Sequence, residues 1–123
     1  NDEKICSMED MSDLSGEVYE LFLEFDESAP FVLELRQDTE LIYDGDILTL
    51  RHGKSGYGRR KRMTPVDEMK NIQIFVDTSS MEFFINKGEY VLTTRVYPEP
   101  GQDKIKLETD GTGTVTYWEL GNA

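Results

Sequence analysis

The stretch from Ile74 to Pro98, IFVDTSSMEFFINKGEYVLTTRVYP, decides how this chain folds. Apolar side chains recur in it at every second position, at Ile74, Val76, Met81, Phe83, Ile85, Tyr90 and Leu92. A period of two places alternate side chains on opposite faces of a β-strand. Asp77–Ser80 and Asn86–Gly88 interrupt the pattern with residues that favour turns. The segment therefore predicts three successive strands joined by two tight turns.

The same period continues through the rest of the chain. Further strands are predicted at 17–25, 31–36, 41–43, 47–50, 105–109 and 114–120. Asp44-Gly45 lies between two of them and predicts a hairpin, because glycine accepts the positive φ that a type I′ turn demands. No stretch has the pattern of an amphipathic helix. Short strands separated by turn residues predict an all-β fold, either a sandwich or a barrel.

The composition restricts the classes of partner. The chain has 123 residues, the length of one domain, and a net charge of -12 from 25 acidic and 13 basic residues. A surface this acidic repels phosphate backbones and anionic lipid, so we expect neither nucleic acid nor a membrane as partner. No apolar run approaches the roughly 20 residues needed to span a bilayer.

Cysteine and histidine are too scarce for most site chemistry. Cys6 is the only cysteine, so the chain has no internal disulfide and no cysteine-based metal site, which fits a reducing compartment. His52 is the only histidine, and no Gly-x-Ser-x-Gly motif accompanies it. We therefore expect no metal, no cofactor and no catalytic triad.

Paired carboxylates, the groups that hydrolyse glycosides, arise by chance among so many acidic residues. Asp44 and Asp46 flank a predicted turn, where exposed carboxylates stabilise the turn itself. Glu82 lies on a predicted strand beside Phe83 and Phe84, and among the acids it is the one that we expect to be partly buried. A buried acid could act as a general acid, but more often it is hydrogen-bonded to a backbone group or an arginine. No residue is therefore assigned a catalytic role.

Two segments break the strand pattern. Gly53–Arg62, GKSGYGRRKR, is glycine-rich and basic, and is predicted to be a long solvated loop between two strands. The alternative is that this basic segment binds a phosphate group or a carboxylate surface of a partner. Residues 1–13 are acidic and almost patternless, and are predicted to be a linker that leads into a domain at 14–123.

The quoted stretch resembles the signature of the C-terminal sandwich of glycoside hydrolase family 32, which includes invertases, levanases and sucrose-6-phosphate hydrolases. The matching positions are Phe75, Asp77, Ser79, Ser80, Glu82, Phe84, Asn86, Gly88, Thr93, Arg95, Tyr97 and Pro98. Leu14–Leu21 looks like the family's first strand, so the resemblance runs from about Leu14 to Leu120. It implies two packed antiparallel sheets, a β-sandwich of the jelly-roll or concanavalin-like kind. The signature residues are expected to have structural or interdomain roles.

The resemblance also implies that the chemistry lies elsewhere. The family's active site is on a five-bladed propeller that precedes the sandwich, in Asn-Asp-Pro-Asn, Arg-Asp-Pro and Glu-Cys motifs. None of these motifs occurs here, since Ile5 precedes Cys6 and Gln37 follows Arg36. The chain also opens without an initiator methionine. We expect it to be the C-terminal part of a longer, cytoplasmic β-fructofuranosidase such as a sucrose-6-phosphate hydrolase.

Three functions fit these observations. The leading hypothesis is a non-catalytic sandwich that packs on the propeller and stabilises it. This hypothesis predicts an exposed apolar patch on one sheet face. The resemblance also implies a possible homo-oligomer, since the sandwich mediates oligomers in some members of the family. The alternative is a fructan-binding or other carbohydrate-binding module, in which outward aromatics such as Tyr90, Tyr97, Tyr117 or Trp118 stack on sugar. Alternation places Tyr117 and Trp118 on opposite faces, so one of them is expected in the core. A stand-alone enzyme is the third, and it rests only on the many carboxylates.

Overall fold

The structure, a computed structural model, describes residues 3–8, 18–35, 39–52, 60–77, 80–95 and 104–119. Within these ranges the chain consists of β-strands joined by turns and has no α-helix. The strands are β1 Glu3–Ser7, β2 Tyr19–Phe25, β3 Phe31–Leu35, β4 Thr39–Tyr43, β5 Ile47–His52, β6 Arg60–Pro65, β7 Asn71–Val76, β8 Ser80–Ile85, β9 Tyr90–Arg95, β10 Ile105–Thr109 and β11 Gly113–Glu119. The described residues include no helix long and apolar enough to cross a membrane.

The strands form two sheets. The larger sheet has the strand order β1-β11-β2-β7-β8-β9, and the smaller sheet has the order β10-β3-β4-β5-β6. Every neighbouring pair among these strands is antiparallel. The chain passes from the larger to the smaller sheet after β2 and after β9, and it returns after β6 and after β10. The prediction of an all-β sandwich of two antiparallel sheets is confirmed.

The core lies between the sheets and follows from the alternation of side chains. In β2, Tyr19, Leu21 and Leu23 are fully buried, whereas Glu24 is exposed. Other fully buried side chains are Leu33, Leu35, Leu41, Leu48, Ile72, Ile74, Met81, Phe83 and Ile85. Burial of one large apolar side chain stabilises the folded state by about 1.5–3 kcal/mol. This interleaved layer is therefore the main source of stability.

The connection between β6 and β7 closes one end of the core. Val66 and Met69 are fully buried in it. The hydroxyl of Tyr43, on β4, donates a hydrogen bond to the carbonyl oxygen of Val66 at 2.6 Å. The backbone N–H of Met69 donates to Ser28 Oγ, in the connection after β2, at 2.9 Å. The buried polar groups are thereby satisfied, and the connection is fixed to two other parts of the chain.

The hairpin predicted at Asp44-Gly45 is present between β4 and β5, but its turn is not type I′. Gly45 has a φ of 107°, whereas neither Asp44 nor Asp46 has a positive φ. A type I′ turn requires positive φ at both central residues. Asp44 Oδ1 instead accepts hydrogen bonds from the backbone N–H groups of Asp46 and Ile47, both at 2.8 Å. The prediction of the turn type was wrong, because the Asp44 side chain accepts these two N–H groups while the backbone N–H of Asp44 donates to the carbonyl oxygen of Ile47 at 3.2 Å.

The segment predicted as a linker contains a strand. The linker was placed at 1–13, but Glu3–Ser7 form β1, which pairs with β11. Met8 follows it and is buried in the core. Cys6 is the residue of β1 that is partly buried, so the strand has little apolar alternation and its backbone pairing holds it in place. Residues 9–13 lie outside the described residues, and a linker there stays a prediction.

The basic segment also forms more strand than predicted. The loop was placed at 53–62, but Arg60–Pro65 form β6, an edge strand that pairs with β5. Residues 53–59 lie outside the described residues. The strand was not predicted because its sequence, RKRMTP, lacks apolar alternation. Charged side chains are common on edge strands, where they discourage pairing with other chains.

Candidate interaction face and the signature segment

The outward face of the larger sheet carries two rows of side chains that cross all its strands. The central row is Ile5, Thr116, Phe22, Gln73, Phe84 and Val91, each directly opposite the next. The neighbouring row is Glu3, Trp118, Glu20, Phe75, Glu82 and Thr93. Directly opposed residues have Cβ atoms about 4.5–5.5 Å apart, so each row is continuous.

The large apolar side chains of these rows form one surface. We call this surface the apolar face; it consists of Ile5, Phe22, Phe75, Phe84, Val91 and Trp118. Ile5 is 64% exposed and Val91 is 53% exposed, and the other four side chains are partly exposed. Phe75 and Phe84 meet edge to face, with ring centroids 5.8 Å apart. The exposed apolar patch predicted for one sheet face is therefore present.

The carboxylates on this face are held by neutral donors. Gln73 Nε2 donates to Glu20 Oε2 at 2.6 Å, and Trp118 Nε1 donates to Glu3 Oε2 at 2.9 Å. Glu82 is exposed in the same row. Neither row contains a lysine or an arginine, so no cation lies directly opposite any of these three acids.

The outward face of the smaller sheet differs, because acidic and basic side chains lie directly opposite one another on it. Arg51 Nη2 lies 2.5 Å from Glu40 Oε1, and Lys106 lies directly opposite Glu34. The apolar positions beside them form the row Val32, Ile42, Thr49 and Met63. Met63 is 59% exposed. Neither row on this face contains an aromatic residue.

In the signature segment, Asn86 ties the turn between β8 and β9 to the start of β7. Its Oδ1 accepts a hydrogen bond from the backbone N–H of Lys70 at 2.8 Å, and its Nδ2 donates to the carbonyl oxygen of Glu68 at 2.7 Å. Asn71 Oδ1 in turn accepts from the backbone N–H of Lys87 at 2.9 Å. These bonds join two segments of the sandwich and use both the oxygen and the nitrogen of the Asn86 side-chain amide.

The same turn contains the type I′ geometry. Lys87 and Gly88 have φ values of 60° and 90°, and the backbone N–H of Glu89 donates to the carbonyl oxygen of Asn86 at 3.3 Å. Positive φ at both central residues defines a type I′ turn, whose twist suits a hairpin. Glycine at position 88 meets this requirement without strain.

The remaining signature residues lie along β8 and its neighbours. The backbone N–H of Asp77 donates to the carbonyl oxygen of Ser80 at 2.9 Å across the turn before β8, and Ser79 lies outside the described residues. Phe84 belongs to the apolar face. The backbone of Arg95 pairs with Ser80 at the end of β9, and its side chain lies outside the described part of the structure. Interdomain roles for these residues stay predictions.

Glu82 does not have the burial that the sequence suggested. It is exposed, because the alternation of β8 sends Met81, Phe83 and Ile85 into the core and Glu82 outward. An exposed carboxyl lacks the desolvation that creates a general acid in an apolar pocket. The expectation of a buried acid at this position was wrong.

Tyr117 and Trp118 lie on opposite faces, as predicted. Tyr117 is buried in the core, and burial, with a smaller effect of the Glu119 carboxylate, raises the pKa of its hydroxyl. Tyr90 packs partly buried against the core, and Tyr97 lies outside the described residues. Of the aromatics considered for sugar stacking, Trp118 is the one that the described structure places on an outward face.

The geometry of the turn at Asp44 changes the pKa of the Asp44 carboxyl group. The backbone N–H groups of Ile47 and Asp46 hold the pKa of Asp44 below its usual range. Its predicted role, stabilising the turn, is confirmed by these bonds. Within the described ranges, no three His, Cys, Asp or Glu side chains come together so that they could hold a metal ion.

Two residues of these surfaces were not predicted from the sequence. Ile5, placed in the linker, lies on the apolar face. Arg62, placed in the loop, donates from Nη1 to the carbonyl oxygen of Thr93 at 2.6 Å and so joins the edge strands β6 and β9. Neither position had a local signal, because its role depends on which distant strand lies beside it.

Together these features define a class of protein, a two-sheet antiparallel sandwich domain with one apolar outward face. A family model described as "Glycosyl hydrolases family 32 C terminal" matches residues 2–120. The chain belongs to this family of C-terminal domains.

Similar proteins give the match its context. Sucrose-6-phosphate hydrolase of Streptococcus mutans is 34% identical over 120 residues, which cover 86% of this chain and 25% of that protein. The enzyme of the same name from Escherichia coli is 38% identical over 68 residues, 52% of this chain and 14% of that protein. The solved sucrose-6-phosphate hydrolase of Lactobacillus gasseri superposes with a TM-score of 0.85 and 25% identity, over 98% of this chain and 28% of that chain. This chain therefore spans about a quarter or less of the curated relatives that it matches.

Proposed function

We propose that this chain is the non-catalytic C-terminal sandwich of a β-fructofuranosidase, namely a sucrose-6-phosphate hydrolase or a near relative. In this proposal the sandwich packs on the catalytic propeller of the same protein and stabilises it. One observation carries the proposal: residues 2–120 match a C-terminal domain family whose similar members are several times longer than this chain.

The proposal assigns the chemistry to the rest of the parent protein. Hydrolysis of a glycoside needs two carboxyl groups around the scissile bond, one of them kept protonated by its surroundings. On the outward face of the larger sheet, Glu82 is exposed and Glu20 is bound by Gln73. The chain's sequence also lacks the family's catalytic motifs. Both observations support a sandwich without catalytic residues.

A carbohydrate-binding module, the alternative from the sequence, is not favoured. Of the aromatic rings named for sugar stacking, Tyr117 is in the core and Tyr90 packs against it, which leaves Trp118 as the one that the described structure places outward. The relatives that cover most of this chain are named as hydrolases rather than as binding modules.

Truncation of the full-length parent tests stabilisation. The full-length enzyme and a version that ends before this chain are compared by thermal unfolding and by hydrolysis of sucrose 6-phosphate. We expect the truncated form to melt at least about 5 °C lower, since each lost kcal/mol shifts the Tm of a domain of 150–250 residues by about 2–4 °C. An unchanged Tm and unchanged activity would contradict the proposal.

Turnover by the sandwich itself tests the absence of catalysis. This chain, expressed alone and shown to be folded by circular dichroism, is incubated with sucrose and with sucrose 6-phosphate. We expect no release of hexose. Hydrolysis that is lost in Glu82→Gln and kept in the matched variant Glu20→Gln would overturn the proposal, because it would place a catalytic acid on this sandwich.

We also place the parent in the cytoplasm, where a phosphorylated disaccharide and a chain with a single cysteine are both expected. The placement is tested by fractionation of cells that express the full-length gene. Recovery of the enzyme outside the cytoplasmic fraction would contradict it.

A homo-oligomer stays a prediction, which size-exclusion chromatography of the full-length protein would check.

A further inference from the structure

We infer that the apolar face of the larger sheet is the surface on which the catalytic part of the same protein packs, while the outward face of the smaller sheet stays in solvent. The inference rests on the proposed function and adds to it by naming the surface and the chemistry of its partner.

The first support is the difference between the two outward faces. The larger sheet presents four aromatic rings in two adjoining rows, flanked by Ile5 at one edge and Val91 at the other. The cores of protein interfaces are enriched in aromatic residues. The smaller sheet presents no aromatic residue in its rows, and Arg51 pairs with Glu40 within that face. A face on which acidic and basic side chains lie directly opposite one another is suited to water.

The second support is the position of the edge strand β1. The family description makes this a C-terminal domain, so the remaining residues of longer relatives precede it. The strand nearest to those residues, β1, forms the edge of the larger sheet and not of the smaller one. Its Ile5 lies in the central row of the apolar face and is 64% exposed. The residues that precede β1 in longer relatives are therefore joined to the sheet that carries the apolar face.

The third support is charge. Glu3, Glu20 and Glu82 lie among the aromatic rings, and the first two are held by neutral donors instead of cations. Burial of carboxylates without a cation is costly. The structure therefore specifies a partner surface that is mainly apolar and brings arginine or lysine side chains opposite the row of Glu3, Glu20 and Glu82. The catalytic part of the same protein is the one occupant to which the proposal commits.

Cysteine protection in the full-length parent tests the inference. Val91 and Met63 are a matched pair, because both are large apolar residues on edge strands and are 53% and 59% exposed in this sandwich. The variants Val91→Cys and Met63→Cys are made separately in the full-length enzyme. Each is treated with a maleimide, and the modified fraction of the peptide that carries the new cysteine is followed by mass spectrometry. Unfolded samples of both variants serve as the reference for intrinsic reactivity.

We expect modification at position 91 to be slower than at position 63 by at least about tenfold, since a packed interface excludes water and reagent. Equal rates would overturn the inference, and so would faster modification at position 91. Faster modification at 91 would move the docking surface to the smaller sheet and leave the proposed function intact. The proposed function fails separately, if truncation leaves the Tm of the parent unchanged. Activity and Tm close to those of the unmodified enzyme confirm that each variant is folded.

Discussion

Asn86 shows how a single side chain can hold two segments of this chain together. Its amide group contacts the backbone of Lys70 and of Glu68, and its own backbone N–H donates to the carbonyl oxygen of Asn71 at 2.8 Å. Asn86 also has a φ of 53°, a conformation that asparagine adopts more readily than most residues. Asparagine suits position 86 for two reasons: its side-chain amide makes the hydrogen bonds, and its backbone tolerates a positive φ.

Asn86→Ala is expected to lower the free energy of unfolding by about 2 kcal/mol, through lost hydrogen bonds and strain at positive φ. Urea denaturation of the chain measures the change. Glu89→Ala is the control, because Glu89 takes part in this turn through its backbone N–H, and it should stay within about 0.5 kcal/mol. Equal effects of the two substitutions would show that the amide network carries little stability.

Asp44 is the residue that should make stability depend on pH. Its folded-state pKa is lowered by the backbone N–H groups of Ile47 and Asp46, so the unfolded chain binds the proton more tightly. The stabilisation is therefore fully present above the unfolded carboxyl pKa of about 3.9 and is lost as pH falls through the lowered folded value. Asp44→Asn removes this contribution but keeps an oxygen that can accept both bonds.

The Tm of the wild type should exceed that of Asp44→Asn at pH 6, and the difference should close as the pH is lowered towards about 2. Thermal unfolding at several pH values measures both. Asp46→Asn, whose side chain accepts neither bond, is the control and should follow the wild type. A gap that is constant across this range would mean that the Asp44 charge does not contribute.

At the scale of strands, the edges of the two sheets meet on one side of the sandwich. β9 ends the larger sheet and β6 ends the smaller one. Arg62 crosses from β6 to the carbonyl oxygen of Thr93 on β9. This bond satisfies an edge carbonyl and links strands that are far apart in sequence, because Arg62 and Thr93 are 31 positions apart. It also makes both edges less available to another chain.

Arg62→Gln is expected to destabilise the edge strands β6 and β9 together. We expect a loss of about 1 kcal/mol, the usual net value of one hydrogen bond, and faster amide exchange in β6 and β9. Hydrogen exchange followed by mass spectrometry measures this. Arg51→Gln removes an exposed ion pair with Glu40 on the outward face of the same sheet and is the control. If both variants change exchange in β9 equally, the contact between Arg62 and Thr93 is not what closes this side.

At the scale of the whole molecule, two neighbouring phenylalanines show how the sandwich divides its apolar residues. Phe83 is fully buried between the sheets, whereas Phe84 lies on the outward apolar face. The first side chain serves the stability of the sandwich itself. The second adds an exposed apolar surface whose use, in our proposal, is contact with the catalytic part of the parent.

Phe83→Ala in this chain should cost about 3–5 kcal/mol of folding free energy, as large-to-small substitutions in a packed core do. Phe84→Ala should cost about 1 kcal/mol, chiefly its edge-to-face contact with Phe75. Urea denaturation of both variants gives the comparison. Similar costs for the two substitutions would contradict the division between core and outward face.

Much of this architecture could be predicted because alternation is a local property of the sequence. The spacing of Tyr19, Leu21 and Leu23 predicts both a strand and the face of it that is buried, because one face of each strand packs in the core. The same rule separated Tyr117 from Trp118. The family signature added the arrangement of the strands in two antiparallel sheets.

The strands that were not predicted are those formed by backbone pairing with a neighbour, without an alternating pattern of apolar side chains. β1 has one partly buried residue, Cys6, and β6 begins with a basic run, so neither has an apolar period that could be recognised. Both are edge strands held by backbone hydrogen bonds to one neighbour. The type of turn at Asp44 was missed for a related reason, since a side-chain oxygen replaced a backbone partner.

The sequence by itself determined the class of fold, the faces of the central strands and the family, because each depends on residue types at fixed local spacing. Only the tertiary structure decided that Ile5, Phe22, Phe84 and Val91 lie in one row, since the six strands of the larger sheet must first pair in register. Register depends on long-range backbone pairing and on the packing of one sheet against the other, and no local pattern specifies either. The apolar face is therefore a property of the folded sandwich, although each of its residues is plain in the sequence.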